Sequence, residues 1–330
     1  MNVKKQSMDN ESYFSEFLLL EFSDVRELQI LHSIIFLVLY LATVTGNLLI
    51  ISAVALDHHL HTPMYFFLMN LALQDLGQVS VIIPKSMVNS LMNTRYISYS
   101  GCVAQVLLFV SFMASDFFLL TVMAYDRYVA ICKPLQYGIL MNRQTYIQMI
   151  SSVWISSFFY GVLHTGGTFA SPFCSNVVNQ FFCEIPQILK LACTDLYLVE
   201  VGVIVISAVI GIGCFIFNII TYGYIFTAVL KIPSTEGRQK AFSTCLPHLI
   251  VYSLFLFPGF FAYFKPTFSS SSHLDWAFTV IYSIFPPLMN PVIYSMRNRE
   301  IKNALSKLLG LRHSSMKNIS SLIRKGKFFI

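Results

Sequence analysis

Three polar side chains, Asp75, Asp116 and Asn290, lie inside long apolar stretches of this sequence, and Asp126 is followed directly by Arg127 at the end of another. Charged groups within such stretches cost free energy and by default mark functional sites. Two carboxyls and an amide could hold a cation such as sodium or share a proton, because neighbouring acids in a low dielectric cannot both ionise cheaply. Alternatively, each carboxyl is protonated and hydrogen-bonds a neighbouring helix. Both interpretations stay open.

No residue pattern typical of an enzyme is found: there is no Gly-rich phosphate loop, HExxH, GxSxG or paired CxxC motif. His58, His59 and His61 have a spacing that could suggest a metal site. No cysteine or carboxylate set completes such a site, apart from Asp57, so solvated loop histidines are the favoured interpretation. We therefore expect no catalysis, no metal centre and no cofactor other than a bound sodium ion.

The elements that carry these residues are predicted to be membrane helices. The chain has 330 residues, of which 55% are hydrophobic and 12% charged, whereas a soluble domain averages roughly 25% charged residues. Seven apolar stretches reach the roughly 20 residues needed to cross a hydrocarbon core, and they do not alternate as barrel strands do. The predicted spans are approximately 28–55, 63–88, 101–126, 144–166, 196–229, 239–263 and 273–296.

The predicted fold is thus an all-α membrane protein, a seven-transmembrane helix bundle over residues 28–297. Residues 1–27 form an N-terminal segment, and residues 298–330 form a short amphipathic helix and a basic tail. Most of the 22 lysine and arginine residues fall on the side of the bundle that carries the C-terminus. That bias predicts a cytoplasmic C-terminus and an extracellular N-terminus. The net charge of +6 is attributed to a tail facing anionic membrane lipid, not to nucleic-acid binding.

The predicted orientation places four cysteines outside, where oxidation is favoured. Four cysteines allow three disulfide pairings, which these positions alone do not separate. The outer cysteines are Cys102, Cys174, Cys183 and Cys193. Asn10 begins an N-glycosylation sequon, Asn10-Glu11-Ser12, in the extracellular segment.

Several ordered motifs carry a resemblance to a known family. Gly46-Asn47, Asp75, the Asp126-Arg127-Tyr128 triplet and NPVIY at 290–294 resemble the rhodopsin-like (class A) G-protein-coupled receptors. Four longer motifs resemble the olfactory receptors within that class, and the resemblance runs from about residue 20 to residue 312. They are HTPMYFFLMNLALQD (61–75), MAYDRYVAICKPLQY (123–137), KAFSTCLPHL (240–249) and PPLMNPVIYSMRN (286–298).

The resemblance implies a role for each polar residue. Arg127 would be held against Asp126 at rest and released toward a G protein, with Tyr128 completing the motif and Tyr294 moving in the active state. Asp75, Asp116 and Asn290 would form the family's inner polar site, where the possible sodium ion would bind. The implied disulfides are Cys102–Cys183 and Cys174–Cys193. The sequence departs from the family pattern at Asp116, Pro247 and Leu256, where glutamate, serine and tyrosine are usual.

The resemblance also implies a ligand and partners. The ligand would be a small volatile, mostly apolar odorant bound among the outer halves of the third, fifth, sixth and seventh helices. The partner would be a stimulatory olfactory-type G protein that raises cAMP, acting at the plasma membrane, with the sixth helix swinging about Pro258. A class A receptor for another small ligand is the alternative, and a membrane transporter is the rival from another class. The implied pocket residues are Phe109, Val110, Met113, Ala114, Ile206, Ser207, Gly259, Phe260, Tyr263, Thr279 and Ser283.

Overall fold

The computed structural model describes residues 14–20, 25–193, 197–231, 233–264 and 272–310, which form a bundle of long helices. Five helices are long and apolar enough to cross a membrane alone, and a bent pair forms a further, broken span. In chain order the helices are α1 (Arg26–Leu56), α2 (Pro63–Met92), α3 (Tyr99–Cys132), α4 (Tyr137–Leu140), α5 (Arg143–Phe169), α6 (Ile185–Leu189), α7 (Tyr197–Leu230), α8 (Thr235–Phe264), α9 (Ser272–Ser283), α10 (Phe285–Arg297) and α11 (Arg299–Leu308).

The helices lie where the sequence places the seven spans, with α8 at the sixth and the pair α9–α10 at the seventh. Several helices extend beyond their predicted ends, because a helix does not stop at the boundary of an apolar run. The largest difference is in α3, which continues to Cys132. Asp126 and Arg127 are therefore helical residues of α3, and do not mark its end.

Prolines break the last span, and side chains of other helices compensate. Pro287 and Pro291 have no backbone N–H, so the carbonyls of Ser283 and Pro287, four residues earlier, receive no helical hydrogen bond. The Gln78 side chain in α2 donates to the Ser283 carbonyl at 2.8 Å, and the Asn47 side chain in α1 donates to the Pro287 carbonyl at 3.0 Å. The 44° bend between α9 and α10 is thus fixed by hydrogen bonds to α1 and α2.

A small three-stranded sheet covers the end of the bundle at which α1 begins and α2 ends, which we call the outer end. Strand β1 (Glu16–Leu19) is central, with β2 (Tyr96–Ser98) antiparallel on one side and β3 (Val177–Val178) parallel on the other. The side chains of Phe17 and Leu19 are buried, and Phe17 packs against aromatic rings of α3, α5 and the loop after α5. The sequence patterns did not predict this sheet, because strands of two to four residues are too short to show a period.

Two disulfides hold the loop between α5 and α7. Cys102–Cys183 joins this loop to α3, and Cys174–Cys193 closes the loop on itself, which is the pairing that the resemblance implied. Gln105 of α3 reinforces the first bond, since its side-chain oxygen accepts a hydrogen bond from the backbone N–H of Cys183 at 2.9 Å. The loop is therefore fixed over the bundle both covalently and by hydrogen bonds.

The expected amphipathic helix is α11, which packs against α1 and α10 with one face buried. The Asn298 side chain caps its first turn by accepting two backbone hydrogen bonds. The Tyr65 hydroxyl of α2 donates to the Glu300 carboxylate at 2.6 Å, and Lys307 pairs with Asp57 at 3.1 Å. The first inner loop and α11 are thereby held together.

Phe17→Ala is expected to lower the thermal stability of the purified protein. The Phe17 side chain is fully buried, and removing such a ring from a packed core costs about 3–5 kcal/mol. The matched control is Leu18→Ala on the same strand, because the Leu18 side chain is only partly buried. We expect a clearly larger fall in Tm for Phe17→Ala. Equal shifts for the two variants would show that the sheet does not depend on the buried ring.

Candidate functional site

Asp126 and Arg127 form an ion pair in the inner part of α3. The Nε of Arg127 donates to one carboxylate oxygen at 3.0 Å, and a terminal guanidinium nitrogen donates to the same oxygen. The Tyr137 hydroxyl donates to the other oxygen at 2.7 Å. Burial, followed by the neighbouring carboxylate, raises the pKa of Tyr137, so this hydroxyl remains a donor at neutral pH. Because the Asp126 side chain is only 1% exposed, release of Arg127 would leave the buried Asp126 carboxylate with the neutral Tyr137 hydroxyl as its hydrogen-bond donor.

The other two predicted switch residues lie near this pair but bond differently. The Tyr128 ring faces the ammonium group of Lys133, 5.7 Å from the ring centroid, and contacts the Tyr224 ring of α7 at 6.0 Å. Tyr294 is 9% exposed, and its hydroxyl has no hydrogen-bond partner among the described residues. It lies within electrostatic range of both Asp75 and Arg127.

His248 of α8 is a residue of this region that the sequence analysis missed. Its Nε2 donates to the Leu120 carbonyl of α3 at 2.6 Å, since a carbonyl can only accept. In the neutral ring Nδ1 is then the acceptor for the Tyr222 hydroxyl of α7, also at 2.6 Å. One buried imidazole thus joins three helices. The available signal was a histidine inside an apolar span, within the motif at 240–249.

The inner polar site brings Asp75 and Asn290 together. The Asn290 amide donates to the two carboxylate oxygens of Asp75 at 3.1 and 3.0 Å. Asp116 lies close enough to Asp75 to interact with it electrostatically. The side-chain amide of Gln74 donates to the Ser115 hydroxyl at 2.5 Å. Within the described part of the chain, one side-chain oxygen each of Gln74, Asp116 and Asn290 is buried without a hydrogen-bond partner.

A cavity of about 520 Å³ opens among α3, α5, α7 and α8 on the outer side of this site. Its walls are mostly apolar and aromatic, as in most small-molecule sites. The residues around it are Val110, Met113, Ala114, Phe117, Phe118, Tyr160, His164, Ile185, Ile204, Ser207, Ala208, Ile210, Gly211, Ile212, Phe215, Leu256, Phe257 and Tyr282.

Four of the predicted pocket residues line this cavity: Val110, Met113 and Ala114 on α3, and Ser207 on α7. Helical spacing explains the set, because residues three and four apart lie on one face of a helix. The lining stripe of α3 continues to Phe117 by the same spacing.

Four other predicted pocket residues do not line the cavity. Ile206 is next to Ser207, about 100° away around the helix, and its side chain is 59% exposed on the outside of the bundle. Phe109 lies four residues before Met113 on the same face of α3, but one turn further toward the outer loop, where it packs against Phe182 at 5.1 Å. Thr279 and Ser283 are buried in contacts with the outer loop and within α9, respectively.

The remaining predicted pocket residues, Gly259, Phe260 and Tyr263, belong to α8, but their side chains lie outside the described residues. The predicted glycosylation site Asn10 also lies outside them.

A polar group at the cavity wall was likewise missed. The Nε2 of His164 in α5 and the hydroxyl of Ser207 are 2.8 Å apart, and the Nδ1 of the same ring is 2.5 Å from the carboxylate of Glu200 in α7. The Tyr160 ring lies against this imidazole in a tilted arrangement, with the ring centroids 4.4 Å apart. His164 and Glu200 are buried, at 3% and 0% exposure. The signal in the sequence was one titratable residue inside each of two neighbouring spans.

Above the cavity, Glu184 joins the outer loop to α9. The Tyr282 hydroxyl donates to its carboxyl group at 2.5 Å, and the Gln180 amide donates at 3.3 Å. The Thr279 hydroxyl is 3.2 Å from the same group. Burial raises the pKa of Glu184 above its ordinary value, although these hydrogen bonds oppose the shift. Because Tyr282 also lines the cavity, the loop and the cavity wall are coupled directly.

The three histidines of the first inner loop do not assemble a metal site. Rings of His58 and His61 contact each other at 5.2 Å, and the Asp57 carboxylate accepts from the backbone of His59 and pairs with Lys307. Among the described residues, no group of three or more His, Cys, Asp or Glu side chains could hold a metal ion.

Comparisons with known proteins place this geometry in context. A family model described as "Olfactory receptor" matches residues 36–312. Olfactory receptor 14A16 of Homo sapiens is 50% identical over 303 residues, covering 92% of this chain and 98% of that relative. Olfactory receptor 1G1 of Gorilla gorilla gorilla is 44% identical over 304 residues, covering 92% and 97%. Squid rhodopsin superposes with a TM-score of 0.70 at 17% identity, covering 87% of this chain and 82% of that structure, which indicates a shared fold.

Glu184 is expected to make stability fall as the pH rises. Because its pKa is raised by burial above the ordinary value of 4.5, the folded state keeps this proton to a higher pH than the unfolded chain does. The contribution to stability is therefore present below about pH 4.5 and is lost as the pH rises through the folded-state pKa. Tm measured as a function of pH should show this slope, and Glu184→Gln, which cannot titrate, should flatten it.

The matched control for that series is Glu16→Gln, which alters an exposed carboxyl on the same outer surface. This variant should keep the slope of the unmodified protein. The interpretation would be contradicted if Glu184→Gln kept the slope as well.

Proposed function

Because the chain belongs to the olfactory receptor family, it is a multi-pass plasma-membrane receptor for an odorant that couples to a G protein, and we propose which ligand, which G protein and which residues act. The ligand is a small volatile, mostly apolar organic molecule, and the partner is a stimulatory olfactory-type G protein that raises cAMP. Like the rest of its family, the chain is a signalling receptor and not an enzyme. The observation that carries the ligand proposal is the largely apolar cavity of about 520 Å³.

Activation is proposed to be a population shift between a resting and an active arrangement of the helices. A ligand moves that equilibrium only by the difference between its affinities for the two arrangements. The cavity is walled on one side by Leu256 and Phe257 of α8, and the same helix bonds to α3 and α7 through His248. An outward movement of α8 would break these bonds and open the inner face around Arg127.

The hinge for this movement is proposed at Pro258, on the sequence argument that a proline removes a helical hydrogen bond. Its side chain lies outside the described residues.

The N-terminus is proposed to face the cell exterior and the C-terminus the cytoplasm. The support is the excess of lysine and arginine on the C-terminal side and the two disulfides at the opposite end of the bundle, where oxidation is favoured. In this orientation Arg127 faces the G protein, and the basic tail faces anionic lipid.

The inner polar site is proposed to bind a sodium ion. Sodium prefers oxygen ligands, and Asp75, Asp116 and Asn290 supply carboxylate and amide oxygens. Two of these residues have a buried oxygen without a hydrogen-bond partner in the described part of the chain, which supports the fit. A cation there would offset the cost of two neighbouring carboxylates in a low dielectric.

Arg127→Ala is expected to abolish most odorant-driven cAMP production in cells that express the receptor at the surface. The reason is that the guanidinium is the charged group proposed to engage the G protein. The matched control is Arg143→Ala, which removes an exposed arginine at the start of α5. Surface level is read from an N-terminal epitope on intact cells, which also checks the orientation. An undiminished response of Arg127→Ala at equal surface level would contradict the assignment.

Sodium is expected to raise the thermal stability of the purified receptor relative to potassium at the same ionic strength. A sodium concentration about ten to a hundred times the Kd of the site would stabilise the folded receptor by roughly 1–3 kcal/mol. Asp75→Asn should remove this difference between the two salts. Asp57→Asn, which alters a carboxyl outside the bundle core, should retain it. Identical Tm values for the unmodified receptor in both salts would argue against a sodium site.

A further inference from the structure

The hydrogen-bonding groups of the cavity lie mainly on one side. Among the described residues around it, only Tyr160, His164, Ser207 and Tyr282 carry a hydroxyl or an imidazole. The Tyr282 hydroxyl already donates to Glu184 at 2.5 Å. The other three are neighbours on α5 and α7, and they form a polar wall opposite an otherwise apolar interior.

The hydrogens of this polar wall follow from the geometry. The Ser207 hydroxyl donates to the Val203 carbonyl at 2.8 Å, so its oxygen accepts from the Nε2–H of His164 at 2.8 Å. The Nδ1 of His164 is 2.5 Å from a Glu200 oxygen. Two acceptors do not approach so closely without a proton between them. One proton therefore lies in this contact, either on the imidazole or on the carboxyl.

His164 and Glu200 form a specific hydrogen-bonded pair, which we call the dyad, and are not simply packed side by side. Burying a carboxyl and an imidazole costs free energy unless they are paired, and the two residues are nearly inaccessible. Gly167 makes room for the carboxyl, because a Cβ at this position would lie 2.3 Å from the second Glu200 oxygen. Ionisable groups inside membrane spans mark function by default, yet the G-protein switch and the inner polar site leave this dyad without a role.

We propose that the Ser207 hydroxyl, held in place by Glu200 through His164, recognises an oxygen-bearing group of the ligand. This inference rests on the proposed function as an odorant receptor. The ligand class is that of alcohols, aldehydes and ketones with a hydrocarbon body, selected over hydrocarbons of the same shape. Ser207 is the contact residue, and His164 and Glu200 are positioning residues.

Ser207 is suited to both kinds of oxygen group. Its hydroxyl bond to the Val203 carbonyl adds to the helical hydrogen bond that this carbonyl accepts from the Ser207 backbone, so the hydroxyl can turn to a ligand carbonyl at small cost. Its second lone pair can accept either from the Tyr160 hydroxyl, with which the Ser207 side chain interacts, or from a ligand alcohol. The donation from His164 polarises the hydroxyl and makes it a better donor. The hydrocarbon body would lie against Phe117 and Phe215.

Carboxylate ligands fit this arrangement poorly. The His164 imidazole of the polar wall and the Glu200 carboxyl behind it share one proton, so the pair carries no net positive charge. Among the described residues around the cavity there is no lysine or arginine to neutralise an anion. The site is therefore expected to favour neutral oxygen compounds.

The test compares matched compounds on cells that express the full-length receptor. The panel contains alcohols, aldehydes and alkanes with the same carbon skeletons, and the readout is the half-maximal concentration for cAMP. We expect oxygen-bearing compounds to be about tenfold more potent than their alkanes, as one hydrogen bond predicts. Ser207→Ala should lower the potency of the oxygen-bearing compounds by about that factor and leave the alkanes unchanged, whereas Ser207→Thr should retain the preference.

Two variants of Glu200 distinguish a positioning role of this residue from a general structural role. Glu200→Gln can still donate a hydrogen bond to the Nδ1 of His164 and should keep the preference, whereas Glu200→Leu cannot and should behave like Ser207→Ala. The matched control is Ser156→Ala, because Ser156 also bonds a carbonyl four residues earlier but is exposed on the outside of α5. Surface level is measured for every variant. A purely structural role for Glu200 would reduce the responses to all compounds alike.

The outcomes distinguish this inference from the proposed function. If alkanes and oxygen-bearing compounds are equally potent on the unmodified receptor, or if Ser207→Ala weakens both alike, the receptor responds to odorants but the polar wall does not select them. A receptor that reaches the surface and responds to no compound of the panel contradicts the proposed function itself.

Discussion

Inside a bundle surrounded by hydrocarbon, each polar group that loses its usual partner must find another within the protein, and the seventh span is shaped by this requirement. Pro287 and Pro291 free two carbonyls, which receive hydrogen bonds from Gln78 and Asn47. Gly46 allows the close approach, since a Cβ there would lie 3.1 Å from the Pro291 side chain. The adjacent Gly46 and Asn47 therefore act together: the glycine lets α10 approach α1, and the asparagine hydrogen-bonds to it.

The same requirement makes α3 the axis of the molecule, with polar partners at three levels. At the outer level its partners are fixed, because Cys102 is covalently bonded to the loop and Gln105 is hydrogen-bonded to it. At the middle level Asp116, which belongs to the inner polar site, interacts electrostatically with Asp75 of α2. At the inner level the Leu120 carbonyl and the Asp126 carboxylate hold non-covalent partners. Only the outer level is held by a covalent bond, so a change in helix arrangement is favoured at the middle and inner levels.

Hydropathy predicted the spans and the polar residues inside them, and the resemblance to the receptor family implied the ion pair and the meeting of Asp75 with Asn290, because each depends on local sequence or on which helix a residue occupies. The rotation of each helix about its own axis and the position of the cavity along it are set by packing, which is why Ile206 and Phe109 were placed in the cavity and are not there. The dyad of His164 and Glu200 was missed for the same reason, since it depends on two helix faces meeting. The outer sheet pairs segments far apart in sequence, and no local pattern reports such pairing.

The contacts of α7 and α8 indicate which cavity wall can respond to a ligand. Among the described residues, helix α7 packs more extensively against α3 than against α8, and α5 is held to α7 by the buried contact between His164 and Glu200. The wall formed by α3, α5 and α7 is therefore the firmer one, while α8 closes the cavity with apolar side chains. Dispersion contacts are non-directional, so α8 can settle at different distances depending on what fills the space. In the proposed activation, the polar wall selects the ligand, and a displacement of α8 by the ligand breaks the bonds of His248 to α3 and α7.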